Sequence, residues 1–271
     1  MPKFSANLSM MFTELPFLQR FAAAAAAGFE AVEFLFPYDF PKEEVKLQLV
    51  SNNLKLVLFN LPAGDFAAGD RGLACNPARV AEFRASVAIA VEYAEFLGCR
   101  QLHCMAGLRP AAGPDVADHE SRLRETYQEN LRFAAQALNE RGITMVIEAI
   151  NTRDIPGFYL SKPSEALRLI RELELPNLKL LYDIYHAQIM EGDLSATIAK
   201  NLDQISHVQI ADTPGRHEPG TGEINYPFLF QHLDELGFAG FLGCEYKPKT
   251  TAKDGLAWFE PYRPNKQGAS K

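Results

Sequence analysis

Residues 143–184 read "ITMVIEAINTRDIPGFYLSKPSEALRLIRELELPNLKLLYDI" and contain one complete unit of the pattern from which the fold class is predicted. It opens with a short apolar run, passes through a polar loop into a segment with helical periodicity, and closes with a second apolar run. The two apolar runs are typical of buried strands, and the segment between them is typical of an amphipathic helix. Strands that alternate with helices in this way indicate a parallel sheet.

The same alternation runs along the whole chain. The predicted strands are 4–8, 31–36, 54–60, 100–105, 143–149, 178–184, 205–210 and 240–245. The predicted helices are 15–27, 41–52, 78–97, 119–141, 162–173, 193–203, 226–236 and 252–260. Eight units without a Pro/Ser/Gly-rich linker favour closure into a barrel over an open sheet, and no GxGxxG motif follows the first strand. We therefore predict an α/β fold, a single (β/α)8 TIM barrel over residues 1–262, with a flexible tail at 263–271.

Composition and charge limit the function classes. The chain has 271 residues, 47% of them hydrophobic, and a formal net charge of −7, which argues against a nucleic-acid binder. The four cysteines form no CxxC pair, as expected of reduced thiols in a cytoplasmic protein. Neither a signal peptide nor a membrane span is predicted. A homo-oligomer is compatible with these features.

A long loop interrupts the regular alternation after the third predicted strand. It covers residues 61–77 and reads "LPAGDFAAGDRGLACNP". Loops of this length inside a domain are usually functional or disordered. Because the loop follows a strand, it belongs to the C-terminal mouth of the barrel, where we expect a lid or a substrate wall.

Four polar side chains stand at or near the ends of predicted strands five to eight. They are Glu148, Asp183, Gln209 and Glu245. In this fold the active site is built at the C-terminal ends of the strands, and the period-two alternation allows all four side chains to point to one side of the mouth. Each residue alone is more often a helix cap, a surface ion pair or a satisfied polar group.

Together the four residues predict a cation site. Three crowded carboxylates repel one another and raise one another's pKa values unless a cation compensates. Three carboxylates and one amide oxygen form an all-oxygen ligand set, which suits Mg²⁺ or Mn²⁺. Zinc prefers His or Cys, and neither occupies these positions.

Three further side chains are candidates for substrate contacts. His186 follows Asp183 by three residues, and Arg216 lies in the glycine-rich loop after strand seven. Alternatively, His186 caps the next helix and Arg216 pairs with a nearby acid. Lys247 follows Glu245 by two residues, so the alternation of strand eight places both on one face. It is a candidate contact for a substrate carboxylate; a surface lysine and a Schiff-base nucleophile are the alternatives.

Long strings of the sequence resemble the hydroxypyruvate isomerase family, which belongs to the xylose isomerase-like barrels. They include "FSANLSMMF" (4–12), "NLPAGDFAAGDRG" (60–72), "YDIYHAQIMEGDL" (182–194) and "HVQIADTPGRHEPGTGEINY" (207–226). The resemblance implies that Glu148, Asp183, Gln209 and Glu245 are metal ligands, and that Glu148 and Glu245 also transfer the proton. Related ketose epimerases typically carry His where this chain has Gln209, which argues for a shorter substrate.

The resemblance implies a metal-dependent isomerase of a small hydroxy or oxo acid. The expected reaction interconverts hydroxypyruvate and tartronate semialdehyde through an enediolate. A sister group, the 2-oxo-tetronate isomerases, shares the "FSANLSMMFTE" opening and stays open as an alternative. A metal-dependent nuclease of the endonuclease IV type is a remote alternative, since it would require a histidine cluster and a basic face.

Overall fold

Eight parallel strands form a closed barrel in chain order, and the first strand is hydrogen-bonded to the eighth. The computed structural model describes residues 1–112 and 118–263. The strands are β1 (Lys3–Asn7), β2 (Ala31–Glu33), β3 (Lys55–Asn60), β4 (Gln101–His103), β5 (Thr144–Glu148), β6 (Leu178–Asp183), β7 (Ile205–Ile210) and β8 (Phe241–Cys244). The predicted (β/α)8 fold is confirmed. Residues 264–271 of the predicted tail lie outside the described residues.

Helices surround the barrel. They are α1 (Phe17–Ala26), α2 (Lys42–Ser51), α3 (Val80–Leu97), α4 (His119–Asn139), α5 (Pro163–Leu173), α6 (Ile184–Met190), α7 (Leu194–Asn201) and α8 (Tyr226–Glu235). Short 3-10 segments cover Pro77–Arg79, Leu202–Gln204 and Asp254–Tyr262. Within the described residues, every helix is too short or too polar to cross a membrane.

The elements of the structure differ from the predicted ones at several places. Residues 252–260 were predicted as a helix, but a 3-10 segment occupies Asp254–Tyr262. The predicted strand 100–105 ends at His103, because the chain beyond it pairs with the long loop, where Cys75 N donates to Ala106 O at 2.8 Å. Helix α6 was not predicted, since it starts directly at the end of β6 without a linker. Its first turn is capped by Asp183, which accepts a hydrogen bond from His186 N at 3.0 Å.

Apolar side chains fill the lower part of the barrel. Ala31, Val57, Leu58, Val146 and Leu181 form a buried cluster that is separate from the larger core under the helices. Two of these residues precede a predicted ligand by two positions on the same strand, so that they lie on the same face. The polar side chains of the barrel interior therefore concentrate above this cluster, at the C-terminal mouth.

The loop 61–77 is held against the chain that leaves β4. A Cβ atom at Gly72 would lie 2.4 Å from the carbonyl oxygen of Met105, so only glycine allows this approach. In the first half of the loop, Phe66 packs against Phe36 with ring centroids 5.1 Å apart, and Arg71 lies 4.0 Å above the Phe66 ring. These contacts are consistent with the wall that the sequence predicts, and its role toward a substrate stays a prediction.

Candidate functional site

The structure brings the predicted acidic side chains together at the mouth. Glu148, Asp183 and Glu245 each offer an oxygen, and His186 offers a nitrogen, such that these atoms all lie within 4.8 Å of one another. Gln209 joins the group because its Nε2 donates to Glu245 Oε1 at 3.2 Å. The side chain of Glu245 is 12% exposed, whereas Glu148, Asp183 and Gln209 are buried. The cluster is therefore open to solvent mainly on the side of Glu245.

Three oxygens of the cluster are buried without a hydrogen-bond partner among the described residues. They are Glu148 Oε1, Asp183 Oδ2 and Gln209 Oε1. A buried acceptor that lacks a partner costs about 1–3 kcal/mol, and more when it is charged. Unpartnered oxygens from three different side chains in one cluster fit a hard divalent cation. The donor set thus agrees with the predicted Mg²⁺ or Mn²⁺.

Burial and mutual repulsion change the acidity of these carboxyl groups. Burial raises the pKa of Glu148 well above its ordinary value, and the charges of Glu245 and Asp183 add to the shift. Burial also raises the pKa of Glu245 to about 8, although Arg216 opposes this shift and Asp183 adds to it. The pKa of Asp183 is raised by burial as well. The protein without a cation thus holds protons that a divalent ion would displace.

His186 is placed as a hydrogen-bond donor. It is buried in α6, and its Nδ1 accepts a hydrogen bond from Asn151 Nδ2 at 2.6 Å. The proton of the neutral ring therefore lies on Nε2, which is 3.7 Å from Glu148 Oε1 and 3.7 Å from Asp183 Oδ2. Burial, together with the charge of Arg216, lowers the pKa of His186 well below its ordinary value and keeps the ring neutral. An Nε2–H group donates to an oxygen and does not ligate a metal.

Arg216 supplies the positive charge of the site. Its Nη2 forms an ion pair with Glu245 Oε2 and lies 3.6 Å from Asp183 Oδ2. The carboxylates of Glu245, Asp183 and Glu148 raise its pKa, although burial acts in the opposite direction. Its Nε is buried and lacks a hydrogen-bond partner among the described residues. Arg216 can therefore donate to an anion at the mouth.

The loop that carries Arg216 is held by a buried carboxylate at the end of β7. Asp212 is 0% exposed and accepts hydrogen bonds from four backbone N–H groups at 2.9–3.1 Å. The donors are Thr213, Gly220, Gly222 and Ile224. These bonds close the loop on itself, and Arg216 adopts a left-handed conformation with φ of 55°. The fold therefore fixes the backbone of the loop that carries the Arg216 guanidinium.

Lys247 lies apart from the cluster. Its side chain is exposed and forms no salt bridge within residues 1–112 and 118–263. Its backbone, however, binds the loop of Arg216, because Lys247 N donates to Arg216 O at 2.8 Å and Lys247 O accepts from His217 Nδ1 at 2.8 Å. The structure thus supports a role for its backbone, and a substrate contact by its side chain stays a prediction.

Several polar residues of the site were missed in the sequence. Asn7, Glu33 and His103 end β1, β2 and β4, and His207 lies in β7. Asn7 lies one residue before the end of its predicted strand, so the rule that found Glu148 would have found it if it had been applied to the first strand. Glu33 and His103 lie inside predicted strands that continue to residues 36 and 105, so the rule does not find them. Burial lowers the pKa of His103 to about 3, so this residue is neutral, with its Nε2 3.6 Å from Glu148 Oε2.

Comparison with known proteins identifies the family. A family model described as xylose isomerase-like TIM barrel matches residues 21–262. The hydroxypyruvate isomerase of Escherichia coli is 51% identical over 263 residues, which cover 97% of this chain and 100% of the relative. The chain belongs to the hydroxypyruvate isomerase family. The family named from the sequence strings is thereby confirmed, and so is its isomerase class.

Other members and neighbours carry different names. The 2-oxo-tetronate isomerase of Cupriavidus necator is 50% identical over 262 residues, which cover 97% of this chain and 99% of the relative. The crystal structure of an AP endonuclease of family 2 from Brucella melitensis has a TM-score of 0.93 and is 49% identical, with 97% of this chain and 100% of that chain covered. A 3-keto-D-glucoside 4-epimerase from E. coli has a TM-score of 0.76 at 21% identity, over 96% of this chain and 99% of that chain, and shares the fold.

Proposed function

We propose that the protein is a metal-dependent isomerase that interconverts hydroxypyruvate and tartronate semialdehyde. The observation that carries this proposal is the pair of glutamates, buried Glu148 and partly buried Glu245, in a cluster whose unpartnered oxygens suit a divalent cation. We further propose that residues 1–262 form one domain and that the enzyme works in the cytoplasm. A 2-oxo-tetronate substrate is the alternative, since relatives with both names are about equally similar.

Glu148, Asp183, Gln209 and Glu245 would hold the cation, each through one oxygen. The unpartnered oxygens of the first three support this assignment. A bound Mg²⁺ or Mn²⁺ would polarise the substrate carbonyl and stabilise the negative charge that develops on the substrate oxygens.

Glu148 and Glu245 transfer the proton in this proposal. One carboxylate removes a proton from C3 of hydroxypyruvate, next to the C2 carbonyl, and the electron pair of the broken C–H bond forms the double bond of an enediolate. The other carboxyl group delivers a proton to C2. The hydroxyl proton of O3 passes to O2, which leaves an aldehyde at C3.

His186, Arg216 and Lys247 bind the substrate in this proposal. His186 Nε2–H donates to a substrate oxygen, since Asn151 fixes this tautomer. Arg216 binds the substrate carboxylate, for which its unpartnered Nε is available. Lys247 is retained as a further contact that would require its exposed side chain to turn toward the mouth.

The substrate assignment is tested by direct comparison of turnover. We expect kcat/KM to be higher for hydroxypyruvate than for a four-carbon 2-oxo acid at saturating Mg²⁺ or Mn²⁺. The assay follows product formation with both substrates on one enzyme preparation. A preference for the four-carbon acid would transfer the assignment to 2-oxo-tetronate, and no turnover of either acid would contradict the proposed function.

A nuclease is a second candidate because a solved structure of an AP endonuclease is 49% identical to this chain. The net charge of −7 and the cluster of carboxylates do not favour a DNA substrate. Incubation with a duplex that contains an abasic site, in the presence of Mn²⁺ or Mg²⁺, distinguishes the two. We expect no strand cleavage above the level of a Glu148→Gln preparation.

Replacement of Arg216 tests the binding of an anionic substrate. We expect Arg216→Lys to raise KM by about 10- to 150-fold, because a hydrogen bond to a charged group contributes about 1.5–3 kcal/mol and lysine lacks the fork of donors. Steady-state kinetics with hydroxypyruvate measures the effect. Arg141→Lys, at an exposed arginine that follows α4, is the matched control and should leave KM unchanged. An unchanged KM in Arg216→Lys would exclude Arg216 as the carboxylate contact.

A further inference from the structure

A second buried carboxylate lies beside the proposed cation site. Glu33 ends β2 and is 0% exposed. It accepts two hydrogen bonds on each oxygen: Oε1 from Gln209 Nε2 at 2.8 Å and Asn7 Nδ2 at 3.3 Å, and Oε2 from Ser5 Oγ at 2.8 Å and His207 Nε2 at 2.8 Å. Each oxygen thus accepts two hydrogen bonds from the protein, and among the described residues Glu33 is not part of the group whose ligand atoms lie within 4.8 Å of one another.

The contact between Glu33 and Gln209 fixes the direction of an amide. Gln209 Nε2 donates to Glu33 Oε1 at 2.8 Å and to Glu245 Oε1 at 3.2 Å. The opposite rotamer of the amide would place its oxygen against two carboxylate oxygens, and acceptor would face acceptor. The amide oxygen Oε1 is thereby left buried and without a partner among the described residues.

The barrel leaves room for Glu33 at one position of β8. A Cβ atom at Gly243 would lie 2.3 Å from both carboxylate oxygens of Glu33. Only glycine at this position allows the side chain of Glu33 to cross from β2 to the donors on β7. Gly243 pairs with Gln209 in the register of β7 and β8, so the free space lies directly beside the amide.

We propose that Glu33 is a positioning residue that orients Gln209 Oε1 toward the cation site. The inference rests on the proposed function, since it presupposes a cation at the cluster. Glu33 ligates nothing itself. It holds the amide so that the neutral ligand presents oxygen, and Gly243 provides the space that this arrangement requires.

Metal affinity of the full chain tests this role independently of turnover. We expect the dissociation constant of Mn²⁺, measured by calorimetry on chelator-treated protein, to rise about 10- to 100-fold in Glu33→Met, as is typical when a residue that orients a ligand is lost. Gly243→Ala should weaken Mn²⁺ binding in the same way, because it displaces Glu33 without changing the charge. Glu33→Gln, which keeps one acceptor oxygen, should have a smaller effect. The control Glu30→Met, at an exposed acid before β2, should bind Mn²⁺ like the wild type.

A double variant decides whether Glu33 acts through Gln209. Glu33→Met combined with Gln209→Ala should bind Mn²⁺ about as well as Gln209→Ala alone, since the residue to be oriented is already absent. Additive losses would overturn the proposal, and so would a Glu33→Met protein with a lower Tm but unchanged Mn²⁺ affinity. A wild-type protein that binds no Mn²⁺ would instead overturn the proposed function, and this inference with it.

Discussion

Glu148→Gln and Glu245→Gln are each expected to lower kcat for hydroxypyruvate by about 10³-fold at saturating metal, since general acid–base catalysis typically contributes 10²–10⁴-fold. Glutamine preserves the size of each side chain and its carbonyl oxygen, so that the cluster can still assemble. It cannot accept or return a proton. The substitution therefore removes proton transfer more completely than it removes metal binding.

The kinetic pattern separates this role from a general loss of structure. Because the two residues carry successive proton transfers of one reaction, and the loss of either one stops it, the double variant should be little slower than the slower single variant. Glu43→Gln, at an exposed position of α2, is the matched control and should retain wild-type kcat. If both single variants kept near wild-type kcat with metal bound, Glu148 and Glu245 would not be the proton-transfer pair.

Mg²⁺ or Mn²⁺ is expected to raise the Tm of chelator-treated protein, and the rise should grow from pH 5 to pH 8. At a metal concentration about 1,000-fold above the dissociation constant, binding to the folded state contributes about 4 kcal/mol. A change of 1 kcal/mol moves Tm by about 2–4 °C in a chain of roughly this size. A rise of about 8–16 °C is therefore expected near pH 8.

The sign of the pH dependence follows from the raised pKa of the cluster. The ordinary pKa of Glu245 is 4.5, and in the folded protein it is about 8. Between these values the folded state holds a proton that the unfolded chain has lost, so the stability of the metal-free protein falls as pH rises through this window. A cation replaces that proton and binds more tightly as pH rises.

Thermal unfolding with and without metal at pH 5, 6, 7 and 8 measures this effect. Buried His103, with its pKa of about 3, acts in the opposite direction, since its contribution to stability is lost as pH falls below 6.5. The difference in Tm with and without metal at each pH isolates the contribution of the carboxylate cluster, because His103 is present in both measurements. In Glu245→Gln, the metal-free protein should be more stable than the wild type at pH 8. An equal metal-induced rise at pH 5 and pH 8 would contradict the assignment of the cluster.

The positions of Glu148, Asp183, Gln209 and Glu245 at one mouth of the barrel could be predicted from the sequence, because local rules determine them. Strands β5 to β8 end where their apolar runs end, and alternation along each strand fixes the face of Glu148, Asp183 and Gln209. Glu245 follows β8 by one residue. In a closed parallel barrel the C-terminal ends of these four strands lie together at one mouth.

The rule that polar residues stand at the ends of predicted strands does not identify Glu33. The apolar run "AVEFLF" continues beyond it, so the strand was expected to end at residue 36. In the structure the register shifts between Val32 and Glu33, and β2 ends at Glu33. A bulge of this kind redirects a side chain and has no distinct local signal in this segment.

The tautomer of His186 depends on contacts between residues distant in the chain. Asn151 lies in the loop after β5 and reaches the ring nitrogen of His186 across 35 positions of sequence. Helix α6, which carries His186, has only seven residues and begins without a loop. Periodicity in the sequence cannot distinguish so short a helix from the continuation of a strand.

In the proposed enzyme, oxygens of Glu148, Asp183, Gln209 and Glu245 hold a cation on which turnover depends. This dependence is measured by titrating chelator-treated protein with Mn²⁺ and following bound metal and hydroxypyruvate turnover in the same samples. We predict one site per chain, negligible turnover without metal, and activity that rises in proportion to the occupied fraction. Full turnover in excess EDTA, or Mn²⁺ binding that leaves turnover unchanged, would show that the enzyme does not depend on a cation at this site.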